Sequence, residues 1–65
     1  MLNGAAIRAR RLALGLTQRQ LGDRADLGAE KVCRIEARGG NCRISTAWRL
    51  AVALECSIEE LTATA

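Results

Sequence analysis

Six glycines divide this 65-residue chain into segments of helical length, and the chain has no proline to interrupt them. The segments are rich in alanine, leucine and arginine, which are good helix formers, and they lack the alternating β-branched pattern of strands. Helices are therefore predicted over residues 4–14, 18–25, 29–37, 44–54 and 58–61. We interpret the chain, residues 1–65, as one all-α domain, a compact five-helix bundle.

Capping residues support the predicted helix boundaries. Asn3 precedes the first helix and Gly15 follows it, in the positions where an N-cap and a left-handed C′ residue are favoured. Residues 17–20 (TQRQ) and 57–60 (SIEE) both have the Ser/Thr-x-x-Glu/Gln pattern of a capping box. These signals place the starts of the second and fifth helices.

The charge of the chain is unevenly distributed. The net charge is +3, but residues 1–43 carry nine basic and four acidic residues, whereas residues 44–65 carry one basic and three acidic residues. All the cations but one are arginine, which binds phosphate or guanine bidentately. The basic part suits a polyanion such as nucleic acid, with a solvated arginine-rich surface as the alternative.

Several function classes are disfavoured by the residue types. Cys33, Cys42 and Cys56 are an odd number without a CxxC pair, and the chain has no histidine, so neither a disulfide framework nor a zinc site is expected. We interpret the thiols as apolar fillers or surface groups in a reducing cytoplasm. No nucleophile stands beside a base, so we expect no enzyme activity, cofactor or metal. No apolar run approaches the roughly 20 residues that span a bilayer, and a cytoplasmic location is predicted.

The second and third helices have the pattern of two helices joined by a tight turn. Their apolar seam consists of Leu21, Ala25, Leu27, Val32 and Ile35. This spacing gives each helix one buried face and places Leu27 at the corner. Gly22 is expected where the helices approach most closely, and Asp26 where the turn needs a left-handed residue.

The same segment belongs to a longer pattern. Its blocks are Ile7-Arg8-x-x-Arg11, Gly15-Leu16-Thr17-Gln18-x-x-Leu21-Gly22, Leu27-x-x-x-x-Val32-x-x-Ile35-Glu36 and Leu50-Ala51-x-Ala53-Leu54-x-x-Ser57-Ile58-x-x-Leu61. With these blocks the chain, over about residues 5–61, resembles the phage-repressor and Cro-like (XRE-type) helix-turn-helix family. The resemblance implies a lambda-repressor-like DNA-binding domain with its third helix in the major groove.

The resemblance also suggests which residues contact DNA. The candidates for reading bases are Gly28, Ala29, Glu30, Lys31 and Arg34. The candidates for binding phosphate are Gln18, Arg38, Asn41 and Arg43. Arg10 departs from the family pattern, since many members carry an apolar residue there, and its guanidinium head is a further phosphate candidate. Arg11 and Glu36 match a structural ion pair between the first and third helices.

Several of these side chains have a second interpretation. Arg34 reads guanine, or it contacts only phosphate or solvent. Ala29 meets a thymine methyl group, or it merely allows close approach. Glu30 accepts a hydrogen bond from cytosine, or it pairs with Arg34 one helical turn away, and we favour the pairing. For the loop residues Arg38, Asn41 and Arg43, the alternative is an ordinary solvated loop.

The predicted function is a sequence-specific DNA-binding transcriptional regulator, with a dimeric repressor as the preferred form. Two copies would bind double-stranded DNA at a roughly palindromic operator. The candidates for the dimer interface are Trp48, Leu54, Ile58 and Leu61. The alternative function is an antitoxin or adaptor whose main role is to bind a protein partner, and a toxin or RNA polymerase is the candidate partner.

Overall fold

The computed structural model describes residues 2–40 and 43–62. These residues form α1 (Gly4–Ala13), α2 (Gln18–Ala25), α3 (Ala29–Arg38), α4 (Ile44–Ala53) and α5 (Ile58–Thr62). Each helix begins at the predicted residue. The helices α1 and α4 end one residue earlier than predicted, and α3 and α5 end one residue later. The predicted all-α fold with five helices is confirmed.

The helix starts follow from local hydrogen bonds. The Asn3 side chain accepts from the backbone N–H groups of Ala5 and Ala6, at 3.0 and 3.2 Å. Both capping boxes form: the side chains at their first and fourth positions each accept from the other residue's backbone N–H. Gly15 closes α1 at φ +70°. The predicted caps are therefore confirmed. They were predictable because each depends on residues three or fewer positions apart.

The core collects one face of every helix. Its buried members are Leu2, Ile7, Leu21, Ala25, Val32, Ile35, Ala47, Leu50, Ala51, Ala53, Leu54 and Leu61. The segment before α1 makes backbone hydrogen bonds to two distant parts of the chain. The backbone groups of Leu2 and Gly40 exchange hydrogen bonds at 2.8 and 3.0 Å, and the Asn3 N–H donates to the Leu61 carbonyl at 2.7 Å. This segment therefore joins the end of α3 to α5.

The turn between α2 and α3 has the geometry expected from the sequence. A Cβ atom on Gly22 would lie 2.6 Å from the Leu27 carbonyl oxygen, which is closer than real Cβ contacts come. Asp26 has φ 58° and ψ 44°, in the left-handed region that Asp tolerates better than most residues. Both predictions are confirmed: Gly22 leaves room for the backbone at the start of α3, and Asp26 is the left-handed residue of the turn.

Two of the four candidate interface residues lie inside the protein. Leu54 and Leu61 are 0% and 1% exposed. The reason is that α5 packs against both α1 and α4, which buries Leu61 on α5 and Leu54 at the end of α4. The prediction that they form a dimer surface is wrong. Ile58 is partly buried against the core, whereas Trp48 is 63% exposed.

Candidate nucleic-acid interface

The outer surface of α3 carries every residue that was predicted to read bases. Residues 28–31 and Arg34 are exposed, whereas Val32 and Ile35 are buried on the opposite face. Gly28 is the N-cap residue of α3 and provides no side-chain cap. The core contacts of α3 therefore fix which of its side chains face outward.

The expected pairing of Glu30 with Arg34 is absent. The ion pairs among the described residues join Arg11 to Glu36, Arg24 to Glu55 and Arg49 to Asp26. An exposed pair one helical turn apart contributes only about 0.2–0.5 kcal/mol, which is too little to hold two long side chains together. The prediction of the pair was wrong, and both side chains remain available to a ligand.

A basic groove of about 340 Å³ lies between α3, from Lys31 to its end, and the start of α4. Its walls are Lys31, Arg34, Ile35, Arg38, Gly39, Arg43 and Thr46. Four of these residues are cations, and none of the described residues that line the groove has a carboxylate. In residues 2–40 and 43–62, none of the four cations forms an ion pair. The basic groove therefore concentrates uncompensated positive charge, which attracts phosphate.

The structure brings together residues that the sequence had placed in two groups. Lys31 and Arg34 were predicted to read bases, and Arg38 and Arg43 to bind phosphate, yet all four line the basic groove. They converge because the start of α4 lies beside α3 at the groove. Asn41, the third predicted loop contact, lies outside the described residues.

A buried ion pair holds α1 against α3. The Arg11 guanidinium donates to both carboxylate oxygens of Glu36, at 2.7 and 3.0 Å, and to the Leu16 carbonyl at 2.8 Å. The side chains of the pair are only 10% and 4% exposed. The hydrogen bonds that Arg11 donates to Glu36 raise the pKa of Arg11 above its ordinary value, against the opposing effect of burial. The predicted structural ion pair is confirmed.

Gln18 joins the same carboxylate from α2. Its Nε2 donates to Glu36 Oε1 at 3.3 Å, so one carboxylate on α3 receives hydrogen bonds from α1 and from the first residue of α2. The orientation of α3 therefore depends on Glu36. A phosphate contact by Gln18 stays a prediction, since this hydrogen bond occupies only one of its amide protons.

Arg10 has a role that the sequence did not predict. Its guanidinium donates to the carbonyls of Leu54 and Glu55, at 3.0 and 3.1 Å. The last carbonyls of a helix lack partners within it, and a cation there is favourable. These bonds occupy two of the five N–H donors of Arg10, so a phosphate contact by Arg10 stays a prediction.

Arg19 is a candidate phosphate contact that was not predicted from the sequence. A groove of about 730 Å³ borders α1, the start of α2 and the start of α3, and its lining includes Gln18, Arg19 and Ala29. Arg19 is exposed and stands in the first turn of α2, where backbone N–H groups favour anions. Its place directly after Gln18 was the available signal.

The thiols differ in their surroundings. Cys33 is exposed on α3, whereas Cys56 is partly buried. Burial, reinforced by the nearby Glu60 carboxylate, raises the pKa of the Cys56 thiol. Cys42 lies outside the described residues. Within the described ranges there is no group of three potential metal ligands, and no helix has the length and apolar character needed to cross a membrane.

Comparisons with known proteins agree with this geometry. The Helix-turn-helix family model matches residues 7–61. The crystal structure of the restriction-modification controller protein C.AhdI from Aeromonas hydrophila matches with a TM-score of 0.83 and 31% sequence identity, over 89% of this chain and 88% of that chain. The comparison with curated proteins found no match. The family match runs from α1 to α5.

Proposed function

The chain belongs to the phage-repressor and Cro-like (XRE-type) helix-turn-helix family of DNA-binding transcription regulators. From this premise we propose that it is a sequence-specific repressor that binds a roughly palindromic operator as a dimer. The observation that carries the proposal is the exposed face of α3 with the basic groove beside it. A helix fits the major groove of B-DNA, where each base pair presents a distinct set of donors and acceptors.

In this proposal, base reading and phosphate binding occur at neighbouring positions. Residues 28–31 and Arg34 face the base edges, and the fork of Arg34 matches O6 and N7 of guanine. Arg38 and Arg43, with Asn41, hold the backbone at the end of α3. Gln18 and Arg19 hold a second phosphate at the start of α2. The phosphate contacts fix the register of α3, and the base contacts supply the sequence preference.

Arg34→Ala is expected to reduce the preference for the operator over a scrambled duplex by about 1–3 kcal/mol, because a bidentate base contact is lost. Lys31→Ala tests the neighbouring base contact in the same way. Arg38→Ala is the matched control, an arginine on the same helix, and it should weaken binding to both duplexes alike. Competition titrations at one salt concentration measure this. An equal loss on both duplexes for Arg34→Ala would make Arg34 a phosphate ligand instead.

The test of the function itself is selection from a random pool of duplexes, followed by sequencing. A two-fold-symmetric consensus is expected, since each protomer of a dimer reads one half-site. Binding to the selected duplex should weaken steeply with salt, with a slope of about −0.9 per phosphate neutralised. If no sequence is enriched, the sequence-specific function is overturned and the antitoxin or adaptor alternative is favoured.

The similarity to a restriction-modification controller protein supports a more specific form of the proposal. It extends over 89% of this chain and 88% of that chain, so it covers most of the five-helix domain. We propose that this chain, too, controls restriction-modification genes. The selected consensus should then occur upstream of such genes in the source genome. If it is absent there, the proposed control of restriction-modification genes is contradicted, and the chain regulates other genes.

A further inference from the structure

The exposed face of α3 carries a carboxylate at its centre. Glu30 is exposed and precedes the buried Val32 by two residues and the buried Ile35 by five. At 3.6 residues per turn, its side chain lies about 160° and 140° around the helix from theirs. Glu30 therefore occupies the middle of the exposed face, and Arg34 follows it on that face one helical turn later.

This carboxylate has no counter-charge in the free protein. None of the ion pairs among residues 2–40 and 43–62 includes Glu30, although its neighbours Lys31 and Arg34 line the basic groove. A carboxylate that faced phosphates would weaken binding by repulsion. In the proposed complex, however, the middle of a helix face in the major groove lies opposite the base edges, so Glu30 meets bases there.

The four bases differ in what they offer to a carboxylate. An ionised carboxylate only accepts hydrogen bonds. In the major groove, guanine presents two acceptors, thymine an acceptor and a methyl group, adenine a donor beside an acceptor, and cytosine the N4 donor alone. Cytosine is therefore the one base that satisfies a carboxylate without placing an acceptor next to it.

We infer that Glu30 determines specificity by accepting a hydrogen bond from the N4 amino group of one cytosine in each half-site. This inference rests on the proposed function and adds a regulatory consequence to it. One amino hydrogen of the cytosine pairs with guanine, and the other faces the major groove. A substituent on N4 replaces the hydrogen that Glu30 needs, so binding depends on the modification state of this cytosine as well as on its identity.

Glu30 also suits the start of its helix. Acidic residues in the first turn interact favourably with the helix dipole, and Gly28 gives α3 no side-chain cap. A residue with this role alone would affect the stability of α3 in the same way on every duplex. The base preference of a Glu30 variant therefore distinguishes the two roles.

Glu30→Ala tests the inference when the wild type and the variant each select duplexes from a random pool. The wild-type consensus should contain one cytosine per half-site at which the variant accepts all four bases. The preference for that cytosine should fall at least about fivefold. The matched control is Asp23→Ala, which removes an exposed carboxylate from α2 and should keep the wild-type preference at every position. Circular dichroism verifies that both variants are folded.

A modified duplex tests the atom that is read. N4-methylcytosine at the assigned position still pairs with guanine, but it places a methyl group where the free amino hydrogen was. This duplex should bind the wild type at least about fivefold more weakly than the unmodified one. Glu30→Ala should bind both duplexes equally, because it lacks the carboxylate that needs the hydrogen.

The outcomes separate the role of Glu30 from the function. If Glu30→Ala selects the wild-type consensus, or relaxes a position that is not cytosine, the inference is overturned and sequence-specific binding stands. If N4-methylcytosine weakens the wild type and Glu30→Ala equally, the contact between Glu30 and N4 is overturned. If the wild type selects no consensus, the sequence-specific function is overturned and the inference with it.

Discussion

Glu36→Ala is expected to lower the free energy of unfolding by about 3–5 kcal/mol, because it leaves a buried guanidinium without its counter-charge. Arg11 keeps its bond to the Leu16 carbonyl but loses both bonds to the carboxylate, and Gln18 loses its partner on α3. A domain of this size rarely gains more than about 3–5 kcal/mol from its core. The variant should therefore be largely unfolded at room temperature and bind no DNA.

Urea denaturation followed by circular dichroism measures this loss. Arg49→Ala is the control, because it also removes one partner of an ion pair, but an exposed one at 3.8 Å. Exposed pairs contribute about 0–1 kcal/mol, so the control should unfold nearly as the wild type does. If the free energy of unfolding of Glu36→Ala lay within about 1 kcal/mol of that of the control, the result would contradict the role of the buried pair.

Leu54→Ala is expected to cost about 2–5 kcal/mol of unfolding free energy through the cavity that it leaves. Leu54 is fully buried, whereas Val52, two residues earlier, is 63% exposed. Val52→Ala should therefore change the stability by no more than about 0.5 kcal/mol when the protein is dilute enough to be monomeric. Thermal and urea unfolding of both variants measure the difference. If Leu54→Ala weakened dimerisation and left the monomer's stability unchanged, Leu54 would belong to the interface after all.

The features that were predictable from the sequence are those set by neighbouring residues. The Asn3 cap, the boxes at 17–20 and 57–60 and the left-handed Asp26 involve chemistry within a few positions. The apolar seam of α2 and α3 was predictable for the same reason, since each helix has one clearly apolar face. The buried pair of Arg11 with Glu36 came from the family resemblance, because its partners are 25 positions apart.

Apart from the absent pair of Glu30 with Arg34, the errors concern residues whose environment depends on distant elements. The apolar residues of α4 lie on two faces, so periodicity alone did not show that Leu54 is covered and Trp48 is exposed. The partner of Arg10 is the end of α4, more than 40 positions away. Lys31, Arg34, Arg38 and Arg43 share the basic groove only because of the path between α3 and α4.

The backbone contact between Leu2 and Gly40 makes the segment before α1 a neighbour of the basic groove. A Cβ atom on Gly39 would lie 2.5 Å from the Leu2 carbonyl oxygen, and Gly39 itself lines the basic groove. Any stretch fused ahead of Leu2 therefore emerges beside the basic groove. A basic extension there would add affinity without sequence preference, and an acidic one would compete with the DNA for the groove. The composition of a purification tag at this end is thus a variable in every binding measurement.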